Sequence, residues 1–172
     1  MRTFFRTFVA CGLVLQLVAC AGTSAVESQS KQRDQRLARL YFLREKGLIG
    51  AMGGTAATAE IRVNGKSVGT VANGTYIFVD RPPGRYTLSV ENKISVPFET
   101  EVEVESGQAY YFNLGPQRSG APGTDLLTQA ISGGAGEAMT AKSVLSAGFS
   151  GVVLYRLEPS AGAKEVQGLK AP

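Results

Sequence analysis

The clearest pattern in this chain is a two-residue period that starts at Leu37 and returns in short bursts as far as Leu157. It is strictest where Phe98, Thr100, Val102 and Val104 alternate with Glu99, Glu101, Glu103 and Glu105. Successive side chains of a strand point to opposite faces, so this segment predicts a strand with one buried and one solvated face. Ala59, Ile61 and Val63 alternate in the same way with Glu60, Arg62 and Asn64. Tyr86, Leu88 and Val90 alternate with Arg85, Thr87, Ser89 and Glu91. Other bursts lack a polar side. Leu37, Arg39, Tyr41 and Leu43 interleave with Ala38, Leu40, Phe42 and Arg44, and both sets are mainly apolar, which predicts a strand buried on both faces. Tyr76 to Arg81, Ala109 to Leu114 and Gly151 to Leu157 are further runs of β-formers.

Turn signals separate the bursts. Asn64-Gly65 suits a two-residue type I′ hairpin, which needs positive φ at both positions and would pair Val63 with Lys66 and Ile61 with Val68. Asn73-Gly74, Pro82-Pro83-Gly84 and Ser106-Gly107 punctuate the chain again. Pro159 should stop the last strand, and residues 160–172 read as a disordered tail. Seven or eight short strands at regular spacing predict a mainly β fold, a small antiparallel β-sandwich in preference to a barrel. Its core is expected over residues 37–114, with a last strand in 149–159.

Two stretches fall outside this rhythm. Gly47 to Thr58 is rich in glycine and alanine and reads as a loop. Residues 115–148 form a longer Gly-rich insertion before the last strand, carrying Gly115, Gly120, Gly123, Gly133, Gly134, Gly136 and Gly148. Thr124 is placed to cap a helix from Asp125, with Leu126, Leu127, Ala130 and Ile131 as its apolar stripe. Ala130, Gly134 and Ala138 have the small-residue spacing that lets helices approach closely, whereas Asp125, Glu137 and Lys142 argue against a membrane span. The insertion reads either as an excursion packed on the sandwich or as an element for partner binding or self-association.

The front of the chain has a different character. Arg2 and Arg6 precede a mostly apolar run from Thr7 to Ala19, too short for a transmembrane helix of about 20 residues. Residues 1–19 therefore read as a signal peptide. The run ends Leu17-Val18-Ala19-Cys20, which resembles the lipobox of bacterial lipoproteins. That resemblance implies cleavage before Cys20 and lipidation of its thiol. With Ala21 next, it also implies an outer-membrane location facing the periplasm if the source is Gram-negative. The other reading is an ordinary signal peptide with a chance cysteine. Gly22 to Arg36 is polar and rich in Ser, Gln and charge, so residues 20–36 are expected to be a lipidated N-terminus and flexible tether. Fully stretched, fifteen such residues reach about 50 Å at roughly 3.3 Å each. A short amphipathic helix from Ser28 to Leu40 is the alternative.

Composition removes several kinds of chemistry. The chain has no histidine, and its two cysteines are Cys11, inside the leader, and Cys20. Zinc sites of the His/Cys type and Ser-His-Asp or Cys-His catalysis are thereby excluded from the mature domain. No cofactor or metal is expected. The formal charge of +4 falls by two when Arg2 and Arg6 leave with the leader, and no basic cluster suggests a nucleic-acid partner. Glu99, Glu101, Glu103 and Glu105 lie about 7 Å apart along one strand face, too far for a tight cation shell, and read as a solvated face. Tyr110, Tyr111 and Phe112 read as sheet packing, with a ligand platform as the lesser option. Gly134-Ala135-Gly136 lacks the strand that a dinucleotide loop needs. Gly148-Phe149-Ser150-Gly151 is no nucleophile elbow. Asn73-Gly74-Thr75 is read as a turn rather than a glycosylation site.

Val63-Asn64-Gly65, Val68-Gly69, Asn73-Gly74-Thr75-Tyr76, Pro82-Pro83-Gly84-Arg85-Tyr86 and Tyr110-Tyr111-Phe112 resemble, in that order, the domain-of-unknown-function family 2846 over roughly Leu37 to Leu114. They also resemble PEGA domains more distantly. Both resemblances imply a small prealbumin-like β-sandwich, the first implies a bacterial lipoprotein, and neither supplies a catalytic residue. The resulting expectation is a non-enzymatic envelope module, anchored to the membrane by lipid on Cys20 and contacting an envelope protein. The alternative is a binding module for a small ligand or cell-wall fragment.

Overall fold

Short runs of β-formers bounded by tight turns fold into two packed sheets. The computed structural model describes residues 27, 29, 32–46, 58–92, 95–117, 135–143 and 150–171. Its strands are β1 (Ala38–Leu43), β2 (Thr58–Val63), β3 (Lys66–Ala72), β4 (Tyr76–Arg81), β5 (Gly84–Glu91), β6 (Phe98–Val104), β7 (Ala109–Gly115), β8 (Glu137–Ala138) and β9 (Val153–Leu157), followed by helix α1 (Pro159–Gly168). One sheet has the order β4-β1-β7-β9-β8 and the other β3-β2-β5-β6. The architecture is a mainly β, two-sheet sandwich. Among the described residues no helix is long and apolar enough to cross a membrane.

The sandwich is not wholly antiparallel, which corrects the expectation from sequence. β1 and β7 pair in parallel, Leu40 beside Tyr110 and Phe42 beside Phe112. Between them the chain crosses to the other sheet and returns, and only such a long crossover permits parallel neighbours. The Asn64-Gly65 hairpin forms as the sequence suggests, with φ of 51° and 75° and Val63 opposite Lys66. Its register then slips at Ile61/Arg62, so that Ile61 faces Gly69 and not Val68. The extra residue is a bulge, which sends both Ile61 and Val68 into the core at 0% exposure.

Side chains from the two inner faces fill the space between the sheets. Leu40, Phe42, Ile77, Phe112, Leu114 and Leu154 come from the five-stranded sheet, and Ile61, Val68, Val71 and Leu88 from the four-stranded one. Phe42 and Phe112 stack across the parallel pair at 5.4 Å. On the four-stranded sheet the expected alternation holds: Phe98, Thr100, Val102 and Val104 are buried, while Glu101 and Glu103 are exposed.

The outer face of the five-stranded sheet is also covered. A row of rings crosses it from Phe78 to Tyr41 at 5.5 Å and on to Tyr111 at 4.8 Å. These residues are register partners, so the row follows directly from strand pairing. α1 lies over this face, with Ala163, Val166 and the following Leu169 packed on Leu43, Tyr111 and Leu157. The expectation of a disordered tail is corrected here. Pro159 both ends the strand and opens the helix, where its missing N–H costs nothing. Gly162 sits so close to the Tyr111 ring that any side chain there would collide with it. Past the helix, Lys170 donates its N–H to Gly74 O at 3.1 Å and accepts from Tyr76 N–H at 3.3 Å.

The expected helix from Asp125 lies outside the described residues. From the same insertion, residues 135–143 contribute β8 and a strap across the sheets. Met139 N–H donates to Leu154 O at 3.0 Å, and Lys142 N–H to Glu99 O at 2.7 Å. Thr100 Oγ1 donates to Thr140 O at 2.7 Å. The strap joins β9 of one sheet to the β6 edge of the other.

Candidate functional site

Cys20, the residue singled out by sequence, lies outside the described residues, as does Cys11. The nearest described positions are Glu27 and Gln29, and both are docked on the sandwich. Glu27 N–H donates to Val68 O at 3.2 Å. Its carboxylate accepts two hydrogen bonds from Arg81, at 2.6 and 2.8 Å. That shared pair holds the Glu27 carboxyl below its ordinary range and raises the Arg81 guanidinium.

Gln29 performs a different task. β4 is an edge strand, so the N–H and C=O that Phe78 turns away from β1 have no strand partner. The Gln29 carboxamide brackets them. Phe78 N–H donates to its Oε1 at 2.7 Å, and its Nε2 donates to Phe78 O at 2.6 Å. One side chain thus stands in for a strand. Further along, Arg33 donates to Gly107 O, and Gln32 O accepts from Arg39 at 3.2 Å. The expected flexible tether is corrected at these positions: residues 27, 29 and 32–36 belong to the folded domain. The contact was hidden in sequence because it relies on two polar side chains rather than on apolar periodicity.

Arg39 shows what the covered face does to a charge. It is 4% exposed and forms a two-pronged ion pair with Asp80, 2.7 Å on each prong. Its guanidinium also lies 4.2 Å from the centre of the Phe78 ring. The hydrogen bonds to Asp80 raise the Arg39 pKa against the opposing effect of burial.

The other sequence-selected residues do not converge on one point. Glu101 pairs with Lys142 at 2.9 Å, and Glu103 lies 3.9 Å from Arg85 with both side chains more than 70% exposed. Glu101 and Glu103 therefore form a solvated, ion-paired part of the strand face, with Glu99 half-buried beside them. Among the described residues no three Asp, Glu, His or Cys side chains are grouped to hold a metal. Tyr111 and Phe112 are buried packing residues. Thr75 closes the Asn73-Gly74 turn through 2.9 Å hydrogen bonds with Ala72. Gly136, at φ 113°, approaches Arg156 O and leads into β8.

Tyr110 has the more open setting. Its hydroxyl accepts from Glu105 N–H at 2.9 Å, and Arg156 lies 5.4 Å from its ring centre. Both border a cleft of 720 Å³, with Gln108, Glu137 and Glu158 on its walls. Sequence reading missed this cleft because β8, which forms one wall, is a two-residue strand with no pattern of its own.

No curated protein matches the chain. Residues 34–123, just over half of the sequence, match the family described as protein of unknown function (DUF2846). That span begins at Asp34, past the docked Glu27 and Gln29, and takes in every strand from β1 to β7, so the chain belongs to the DUF2846 family.

Proposed function

We propose that the protein is a lipid-anchored module of the cell envelope, and that its work is structural or a matter of protein interaction rather than catalysis. The observation that carries the reading is the end of the apolar leader at Leu17-Val18-Ala19-Cys20, after Arg2 and Arg6. A thiol at that position, behind small and aliphatic residues, suits transfer of a diacylglyceryl group and cleavage before the cysteine. Two or three acyl chains together give stable attachment, since each buried CH₂ contributes about 0.8 kcal/mol. In a Gram-negative cell, Ala21 favours the outer membrane, with the sandwich in the periplasm. The polar face of the four-stranded sheet, bearing Glu101, Glu103, Arg62 and Arg85, is the broad surface a protein partner would meet.

Metabolic labelling with an alkyne fatty acid tests this. Wild type should take the label and sediment with membranes, and Cys20→Ala should lose both properties. A Cys20→Ala variant that still labels contradicts the reading.

The cleft beside Tyr110 and Arg156 favours a second reading, a binding module for a small ligand or cell-wall fragment. A ligand that binds only the folded state raises the unfolding midpoint. Millimolar wall fragments should therefore shift the wild-type midpoint and leave Arg156→Ala unshifted, and no shift in wild type counts against this reading.

A further inference from the structure

The chain enters the sandwich at one end of it. Glu27 touches Val68 near the start of β3 and Arg81 at the close of β4. Asn64, Lys66 and Tyr86 surround the same spot. This end carries the Asn64-Gly65 and Pro82-Pro83 turns. The strand registers place the Asn73-Gly74 turn, Asn92 and the exposed Val96 at the opposite end, where β7 also runs out at Gly115.

Only six residues, 21–26, separate Cys20 from Glu27. Seven peptide steps extend to about 25 Å at most, at roughly 3.3–3.6 Å each. That is half the reach a free tether through Arg36 would have. From this geometry we infer an orientation: the end of the sandwich bearing Asn64-Gly65 and Pro82-Pro83 faces the lipid surface, and the Asn73-Gly74 end faces away. The inference rests on the proposed lipidation of Cys20. At the near end Arg33, Arg36, Lys66, Arg81 and Arg85 stand beside Glu27, Asp34, Glu103 and Glu105, close to charge balance. The short leash, rather than attraction to anionic headgroups, sets the orientation, so it should not depend on lipid charge. Partners in the envelope then approach the far end and the sheet faces.

The test uses the mature lipidated protein in phosphatidylcholine vesicles, with and without anionic lipid. A donor dye is attached at Lys66→Cys or Val96→Cys, and an acceptor is carried on lipid headgroups. Both positions are exposed, and the acylated Cys20 thiol does not react. A seven-residue strand separates the ends by about 23 Å, so transfer should be about twofold or more stronger from position 66. Flotation with the vesicles reads the anchor separately. Floating protein with equal or reversed transfer overturns the orientation and leaves lipidation standing. Protein that does not float overturns lipidation, and the orientation with it. Inserting about 20 Gly/Ser residues between Val26 and Glu27 lengthens the leash without touching the fold, and the difference should vanish. A difference that survives the insertion shows that the leash is not its cause.

Discussion

The two sheets share one core and differ in what lies on their outer faces. The four-stranded sheet turns Glu60, Arg62, Glu91, Glu101 and Glu103 to water, and its ion pairs are exposed ones. The five-stranded sheet turns a row of aromatic rings and the Arg39–Asp80 pair outward, and the chain's own ends cover them. On one side Gln32 O accepts from Arg39, and on the other α1 packs on Tyr111 and Leu157. An arginine–carboxylate pair therefore has no fixed worth. Arg62 and its two partners, Glu60 and Glu91, are each exposed by about a third or more, whereas the Arg39 side chain is 5% exposed. Solvent screens the first set, and burial makes the second costly to break.

The largest expected effect comes from Arg39→Ala. It leaves Asp80 beside an apolar ring without its partner, and a loss of about 2–3 kcal/mol in denaturant unfolding is expected. Arg39→Met, which keeps the packing over Phe78, should retain part of the loss but not all of it. A stability equal to wild type in the Ala variant would mean that the outer face is wetter than described.

Gly162→Val comes next. The new side chain collides with Tyr111, so α1 must lift from the sheet, at a cost of about 1–3 kcal/mol. Exposure of Tyr111 and Leu157 should then appear as binding of a hydrophobic dye. Arg62→Ala is the matched control on the open sheet. Its unfolding midpoint should stay close to wild type, and a loss comparable to that of Arg39→Ala would abolish the distinction between the faces.

The smallest effect is a local one with pH. The hydrogen bonds from Arg81 lower the Glu27 pKa in the folded state. Such a group stabilises the fold fully above its unfolded value, about 4.3, and the contribution is lost as pH falls through the folded value. Protection of the Phe78 amide from hydrogen exchange should therefore persist at neutral pH and weaken below about pH 4. Protection unchanged at lower pH would show that the segment is held by something other than this ion pair.

The open sheet was legible residue by residue, because a face in water writes strict alternation into the sequence, as at Phe98 to Glu105. The covered sheet was half legible. β1 announced burial on both faces and β7 read as a run of β-formers, but nothing in their sequences named the cover. α1 reads Pro-Ser-Ala-Gly-Ala-Lys-Glu-Val-Gln-Gly, too small and polar to signal a helix, and it is held by the fit of Gly162 over Tyr111. The docked segment was hidden for a similar reason, since Gln29 contributes hydrogen bonds rather than apolar area. The parallel β1–β7 pair and the bulge at Val68 are decided by tertiary packing, which local pattern does not encode. Of the candidate site, the lipidation proposed at Cys20 rests on consecutive residues, Leu17-Val18-Ala19-Cys20, which sequence alone can display. The Tyr110–Arg156 cleft joins residues far apart in sequence and was not.

The central claim is that the chain's own ends close the outer face of the five-stranded sheet. Oxidative footprinting of Tyr41 and Tyr111 in the full chain, and in a chain ending at Glu158, tests this cover. With α1 present, Tyr111 is 8% exposed and should react slowly. Without α1, both tyrosines should react several-fold faster, while Tyr86 on the other sheet keeps its rate. Equal rates at Tyr41 and Tyr111 in the two chains would contradict the account.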